Sequence, residues 1–169
     1  HELFNDSGKP VTPQLYLQLA RDGNPPEGES SFYFTFTGPA MYTDAGKFQK
    51  IDFKDIAKGS ADHDKTADNG WVAMVEQYFV AAWLPGDEKK TAREFYARKL
   101  DGGLYSAGMI VPVGTIAPGA TGEVRVPLYV GPQEHDELAR LAKGLELVVD
   151  YGIFTVISAP LFWLLKWLY

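Results

Sequence analysis

Short stretches in which every second residue is apolar, each closed by glycine or proline, recur along this chain of 169 residues. Leu15, Leu17 and Leu19 alternate with Tyr16, Gln18 and Ala20 up to an Arg21-Asp22-Gly23 turn, and Phe32, Phe34 and Phe36 alternate with Tyr33, Thr35 and Thr37 up to Gly38-Pro39. A period of two sends neighbouring side chains to opposite faces of a strand, so each stretch predicts a strand with one face in a core. With 17 glycines and 11 prolines the chain is rich in turns and poor in long helices. The expected fold class is mainly β.

The remaining segments fit that frame. Residues 47 to 56 predict a strand, although Phe48 is out of phase with Ile51 and Phe53, which leaves a bulge or break open. Residues 58 to 70 are polar without apolar period and read as an exposed loop. Trp71 to Trp83 carries one charge and is a buried strand pair or a helix by periodicity; Gly70 before it and Pro85-Gly86 after it favour strands. Ala92 to Leu100 and Leu104 to Val113 predict a hairpin through Asp101-Gly102-Gly103, and Thr121 to Val130 a strand whose Pro127 suits an edge. Gln133 to Ala142 is a helix former with acids early and Arg140 late, stopped by Gly144. This order suits a β-sandwich over residues 1–131, a helical annex over 132–150 and a separate tail over 151–169.

Composition excludes several roles. A net charge of -6 and the lack of a basic run argue against nucleic acid, which needs clustered Lys and Arg. Zero cysteines exclude a disulfide framework, a thiolate zinc site and a thiol nucleophile. The chain opens on His1 with no basic stretch followed by an apolar run, so it reads as a fragment or a processed piece without a signal peptide.

Residues that could carry chemistry are scattered. His1, His63 and His135 sit at a terminus, in the polar loop and in the first turn of the expected helix, none at metal spacing with another, and each reads as a solvated surface histidine. Asp62-His63-Asp64 with Asp68 lacks the spacing, glycine and closing glutamate of a calcium loop. No serine lies in a Gly-x-Ser-x-Gly context and no glycine-rich phosphate loop is present. No catalytic residue, metal site or cofactor is expected. The aromatic fraction, 14%, would suit a sugar-binding cleft, but the Phe32, Phe34, Phe36 alternation is what a sandwich core requires.

The tail differs from the body. Residues 151 to 169 hold six aromatics and one charge, Lys166, whereas the body carries 15 basic against 22 acidic residues. Tyr151 to Leu165 is shorter than the roughly 20 apolar residues a bilayer crossing needs, and Pro160 interrupts it. A helix capped by Ser158 would put Leu161, Leu164, Leu165 and Leu168 on one side, with Phe162, Trp163, Trp167 and Tyr169 as an interfacial aromatic belt and Lys166 reaching water, while Phe154 ahead of it is a further membrane-interface candidate. The expected partner is a membrane lipid surface; the alternative is a helix docked on the protein's own core.

Four stretches carry a resemblance. Gly70-Trp71-Val72-Ala73-Met74-Val75-Glu76-Gln77-Tyr78-Phe79 with Ala82-Trp83 resembles a segment of the large periplasmic domain of the YidC/Oxa/Alb insertase family. Leu15-Tyr16-Leu17 with Arg21-Asp22-Gly23, Leu128-Tyr129-Val130-Gly131-Pro132, and Val149-Asp150-Tyr151-Gly152 through Pro160 to Trp167 agree in the same order. The resemblance implies the C-terminal part of a galactose-mutarotase-like supersandwich with C-terminal helices, followed by an amphipathic elbow helix leading to a transmembrane helix outside this chain. It implies a place on the periplasmic side of the inner membrane of a Gram-negative bacterium, and a role without catalysis in an insertase and chaperone for membrane proteins, alone or with the Sec translocon. The insertase core, which would meet nascent membrane proteins, is not in this sequence. SecDF is the implied partner, with Tyr42 and Phe48 in the contact region. A carbohydrate-binding or mutarotase-like periplasmic domain is the alternative function.

Overall fold

The computed structural model describes residues 1–24, 35–86, 90–149 and Leu164. In chain order the elements are β1 (Glu2–Phe4), β2 (Gln14–Asp22), β3 (Gly38–Thr43), β4 (Lys47–Lys50), α1 (Phe53–Lys58), β5 (Thr66–Ala67), β6 (Trp71–Val75), β7 (Phe79–Trp83), β8 (Arg93–Lys99), β9 (Leu104–Pro112), β10 (Thr121–Glu123), β11 (Leu128–Pro132) and α2 (His135–Leu141), with 3-10 turns at Asp101–Gly103 and Leu145–Val148. The fold is mainly β. Every strand pair is antiparallel: a five-stranded sheet in the order β11-β7-β6-β3-β4, a four-stranded sheet in the order β2-β9-β8-β5, and the small pair β1-β10.

The two larger sheets form a sandwich. Leu17 of β2, Phe95 of β8 and Ala107, Met109 and Val111 of β9 meet Met41 of β3 and Val72 of β6, with Ile51 and Ile56 closing one end. The five-stranded sheet is buried on its other face too, because Ala40, Tyr42, Trp71, Ala73, Val75, Val80 and Ala82 pack against Leu138, Leu145 and Val148 of the C-terminal helical turns. It is thus the middle layer of three. Double burial explains why β6 is apolar throughout, with all five residues buried, and why periodicity alone did not separate strand from helix there.

Most sequence expectations hold, and the departures have physical causes. The strands over 14–22, 71–83 and 93–112 and the helix near 135–141 are where the patterns put them. The Phe32 and Phe34 half of the aromatic strand lies outside the described residues, while 35–37 have no regular structure. Gly38-Pro39, expected to stop a strand, instead opens β3, and Pro39 is fully buried. Its carbonyl accepts from Ile51 N at 2.9 Å. The 47–56 strand breaks after Lys50 into α1, which starts beyond Asp52 and ends at Gly59; the phase slip at Phe48 was the trace of that change. The single strand expected over 121–130 is two strands in different sheets, separated before Leu128, and β11 is an edge strand. The 58–70 loop holds the short β5, and His63 within it is only 6% exposed rather than solvated.

Candidate functional site

The junction between the middle sheet and the C-terminal turns is the best-built feature of the described residues. Ala40, Ala73 and Ala82, none of them measurably exposed, keep that face of the sheet shallow, so Leu138 and Leu145 reach the sheet surface. At the corner the Tyr42 ring stacks on Trp71 with centroids 5.9 Å apart, and Phe48 tilts against the same indole at 6.1 Å. The Trp71 Nε1–H donates to the Lys143 carbonyl at 3.0 Å, which ties β6 to the connection after α2. Gly144 follows with φ 78, and a Cβ there would lie 2.4 Å from the Tyr42 ring, so both the conformation and the space call for glycine.

A charged clasp lies over this corner. Lys143 Nζ donates to Asp44 Oδ1 at 2.6 Å. That hydrogen bond lowers the Asp44 carboxyl below its ordinary range and raises Lys143. Both groups are solvated, so the pair fixes register more than it stabilises. Between the clasp and the β7–β8 connection is a cavity of about 130 Å³ lined by Tyr42, Trp71, Leu84, Pro85, Leu141 and Lys143. Arg93, 2% exposed, anchors its floor: Nη1 donates to the carbonyls of Gly70 (2.7 Å) and Pro85 (3.3 Å), and Nη2 to that of Gly86 (3.2 Å). A guanidinium suits this place because its fork reaches three backbone acceptors at once.

The acidic loop is tied to the same corner. Asp64 accepts from the Thr43 hydroxyl, and its N–H donates to Gln49 Oε1 at 3.1 Å, so the loop is pinned to the β3–β4 turn. His63 Nδ1 lies 2.8 Å from the Asp64 carbonyl and its Nε2 accepts from Lys65 Nζ at 3.0 Å. Burial lowers the affinity of that imidazole for a proton. Among the described residues no three His, Asp or Glu side chains come together to hold a metal ion.

The candidate partner residues are unequal. Tyr42 is 7% exposed and belongs to the core, whereas Phe48 is half-buried at its rim. A partner at this corner would meet Phe48 and the β3–β4 turn, not the Tyr42 ring. Of the tail, Phe154, Leu161, Phe162, Trp163, Leu165, Lys166, Trp167 and Leu168 lie outside the described residues; Leu164 is helical and 44% exposed. No helix among the described residues is long and apolar enough to cross a membrane. From the sequence Lys143 stands out only as a late basic residue of the helix, and Asp44 and Arg93 not at all. Arg93 had no local signal, since the carbonyls it reaches among the described residues lie at 70, 85 and 86.

The chain matches the model of the YidC periplasmic domain over residues 1–164. It is 55% identical over 170 residues to a membrane protein insertase YidC of Aromatoleum aromaticum, covering 100% of this chain and 30% of that protein. It is 55% identical over 166 residues to one of Dechloromonas aromatica, covering 98% and 30%, and 53% identical over 165 residues to one of Nitrosospira multiformis, covering 98% and 29%. The chain therefore spans less than a third of the relatives it matches. With a family match across nearly all of its length and a middle sheet built on the Gly70 to Trp83 segment, the chain belongs to the YidC periplasmic domain family.

Proposed function

We propose that this chain is the periplasmic part of a bacterial inner-membrane insertase and chaperone, and that it sets the position of the sandwich over the membrane during insertion and folding of membrane proteins. The observation that carries the reading is the junction. Leu138, Leu145, Val148 and the Trp71–Lys143 hydrogen bond hold the chain to the middle sheet up to residue 148, so a segment that follows leaves from a fixed point. Residues 1–131 act as the sandwich, 132–150 as the annex and 151–169 as an interfacial helix on lipid. The β3–β4 turn with Phe48 is the face offered to SecDF of the Sec translocon. The chain catalyses no reaction of its own.

The test replaces the junction in the full-length product of the same gene. Trp71→Ala, made at wild-type abundance in cells that depend on it, lowers insertion of a membrane protein as read by protease protection. Equal insertion overturns the reading. Hexose mutarotation by the purified chain stays at the rate of buffer; turnover well above it would turn the assignment to a carbohydrate-active domain.

A further inference from the structure

The cavity beneath the Asp44–Lys143 clasp has an apolar lining and a movable rim. Trp71, Leu84 and Pro85 line it from β6 and the end of β7, and Leu141 from α2, around about 130 Å³. Trp71 and Leu84 are buried, whereas Leu141 is 43% exposed, an apolar side chain left uncovered. The clasp bridges the rim through the 2.6 Å hydrogen bond from Lys143 Nζ to Asp44 Oδ1. Both side chains are more than half exposed, so water competes for the bond and opening it costs little.

Size and charge select the occupant. Small-molecule sites run from roughly 300 to 1,000 Å³, and an apolar void of about 150 Å³ takes a single benzene. A cavity of about 130 Å³ therefore suits one branched or ring side chain. Its rim is cationic. Besides Lys143, the Asp44 carboxyl feels Lys47, whose Nζ donates to the Asp44 carbonyl at 2.6 Å, and Lys90, whose Nζ lies 3.9 Å from Asp68 Oδ2. Three ammonium groups thus act on one carboxylate, in a chain whose net charge is -6. A carboxylate arriving here can take over Lys143 while Asp44 stays in the field of Lys47 and Lys90, whereas a basic segment meets like charge.

We infer that this cavity receives one apolar side chain of an acidic protein segment, in which carboxylates flank that side chain and one of them takes Lys143 from Asp44 as it enters. The clasp is then a latch. While it is shut, the Trp71 and Tyr42 rings behind it are out of a partner's reach; open, they and Leu141 enclose the incoming side chain. The inference is independent of the proposed Sec contact, which concerns the outer rim at Phe48.

The test uses the purified full-length gene product and a blocked tripeptide, acetyl-Glu-X-Glu-amide, in which X is a diazirine analogue of leucine. At about 10 mM peptide, the range that a single buried side chain saturates, light should attach it at Leu84, Pro85 or Leu141, as mapped by mass spectrometry. The yield there should be at least about threefold above that of acetyl-Arg-X-Arg-amide, and acetyl-Glu-Leu-Glu-amide should compete where acetyl-Glu-Ser-Glu-amide does not. Lys143→Glu should lose the attachment, and Asp44→Asn, which removes the competing carboxylate, should raise it. Both side chains are solvated, so the fold tolerates either change. Attachment confined to other sites overturns the inference, as does an equal yield from the Arg-flanked peptide or a yield that Lys143→Glu leaves intact. An Asp44→Asn yield no higher than that of the unaltered protein overturns it too, and would make the clasp a fixed strut.

Discussion

The Trp71 indole donates its N–H to the Lys143 carbonyl across 72 residues of sequence, and this bond joins β6 of the middle sheet to the connection after α2. The indole also meets the Tyr42 ring, stacked on it, and the Phe48 ring, tilted against it. Trp71→Phe keeps most of the packing and orphans the carbonyl, so it should cost about 1 to 3 kcal/mol. Trp71→Ala removes the stack as well and should cost about 3 to 5 kcal/mol. Urea unfolding of the chain followed by circular dichroism separates the two.

Gly70 meets the same corner from the backbone side. Its φ is 98, and a Cβ built on it would lie 1.9 Å from the Tyr42 carbonyl oxygen, a backbone atom that cannot swing away. Gly70→Ala should therefore destabilise by more than the roughly 1 to 2 kcal/mol of a left-handed residue alone, because β3 and β6 must separate as well. Gly8→Ala, with nothing within 4 Å, should change the urea midpoint little. Equal midpoints for the two variants would show that the strands part easily.

These positions mark how far the sequence can be read. β2 was legible because the sandwich buries one of its faces more deeply than the other, and that asymmetry is written as alternation; the hairpin β8–β9 was legible from its Asp101-Gly102-Gly103 turn, since β9 is buried on both faces from Ser106 to Met109. β3 was not, because a strand in the middle of three layers is buried on both sides, all six of its residues included. α1 was lost for the opposite reason, since six residues hold too few turns to show a helical period over Ile51 and Phe53. The family resemblance was legible in Gly70 to Trp83, the segment that forms β6 and β7 of the middle layer. The clasp and the Arg93 anchor were not, because their partners are joined only by the fold.

His63 should make stability depend on pH. Its Nδ1 side is taken by the Asp64 carbonyl, so a second proton must go to Nε2, where Lys65 Nζ stands 3.0 Å away. Burial first, and Lys65 with it, lowers the folded-state pKa below the ordinary 6.5. The unfolded chain then binds the proton more readily, so the contribution is fully present above the unfolded value and is lost as pH falls through the folded one. Urea midpoints should drop between about pH 7 and pH 5, and His63→Gln should flatten that part of the profile. An unchanged slope in the variant would assign the pH dependence to the carboxylates.

The tail is where sequence and proposed function meet. The sequence expectation, a helix from Ser158 onward, would set Leu161, Leu164, Leu165 and Leu168 on the same side; of these Leu164 is described, helical and 44% exposed. At roughly 25 cal/mol per Å² of apolar area, burying four leucines in the acyl boundary is worth several kcal/mol before ordering costs. That holds a tethered helix on the membrane without anchoring a free domain durably, which is what a part that positions the sandwich needs. Trp163 and Trp167 would then sit at headgroup depth while Lys166 reaches anionic phosphate. Leu164→Glu with Leu168→Glu removes half of the leucine face and adds two charges that anionic lipid repels. Flotation of the chain with anionic liposomes should be lost in the double variant, with its circular dichroism over the β region unchanged. Equal flotation of the two would mean that this face is not what meets the lipid.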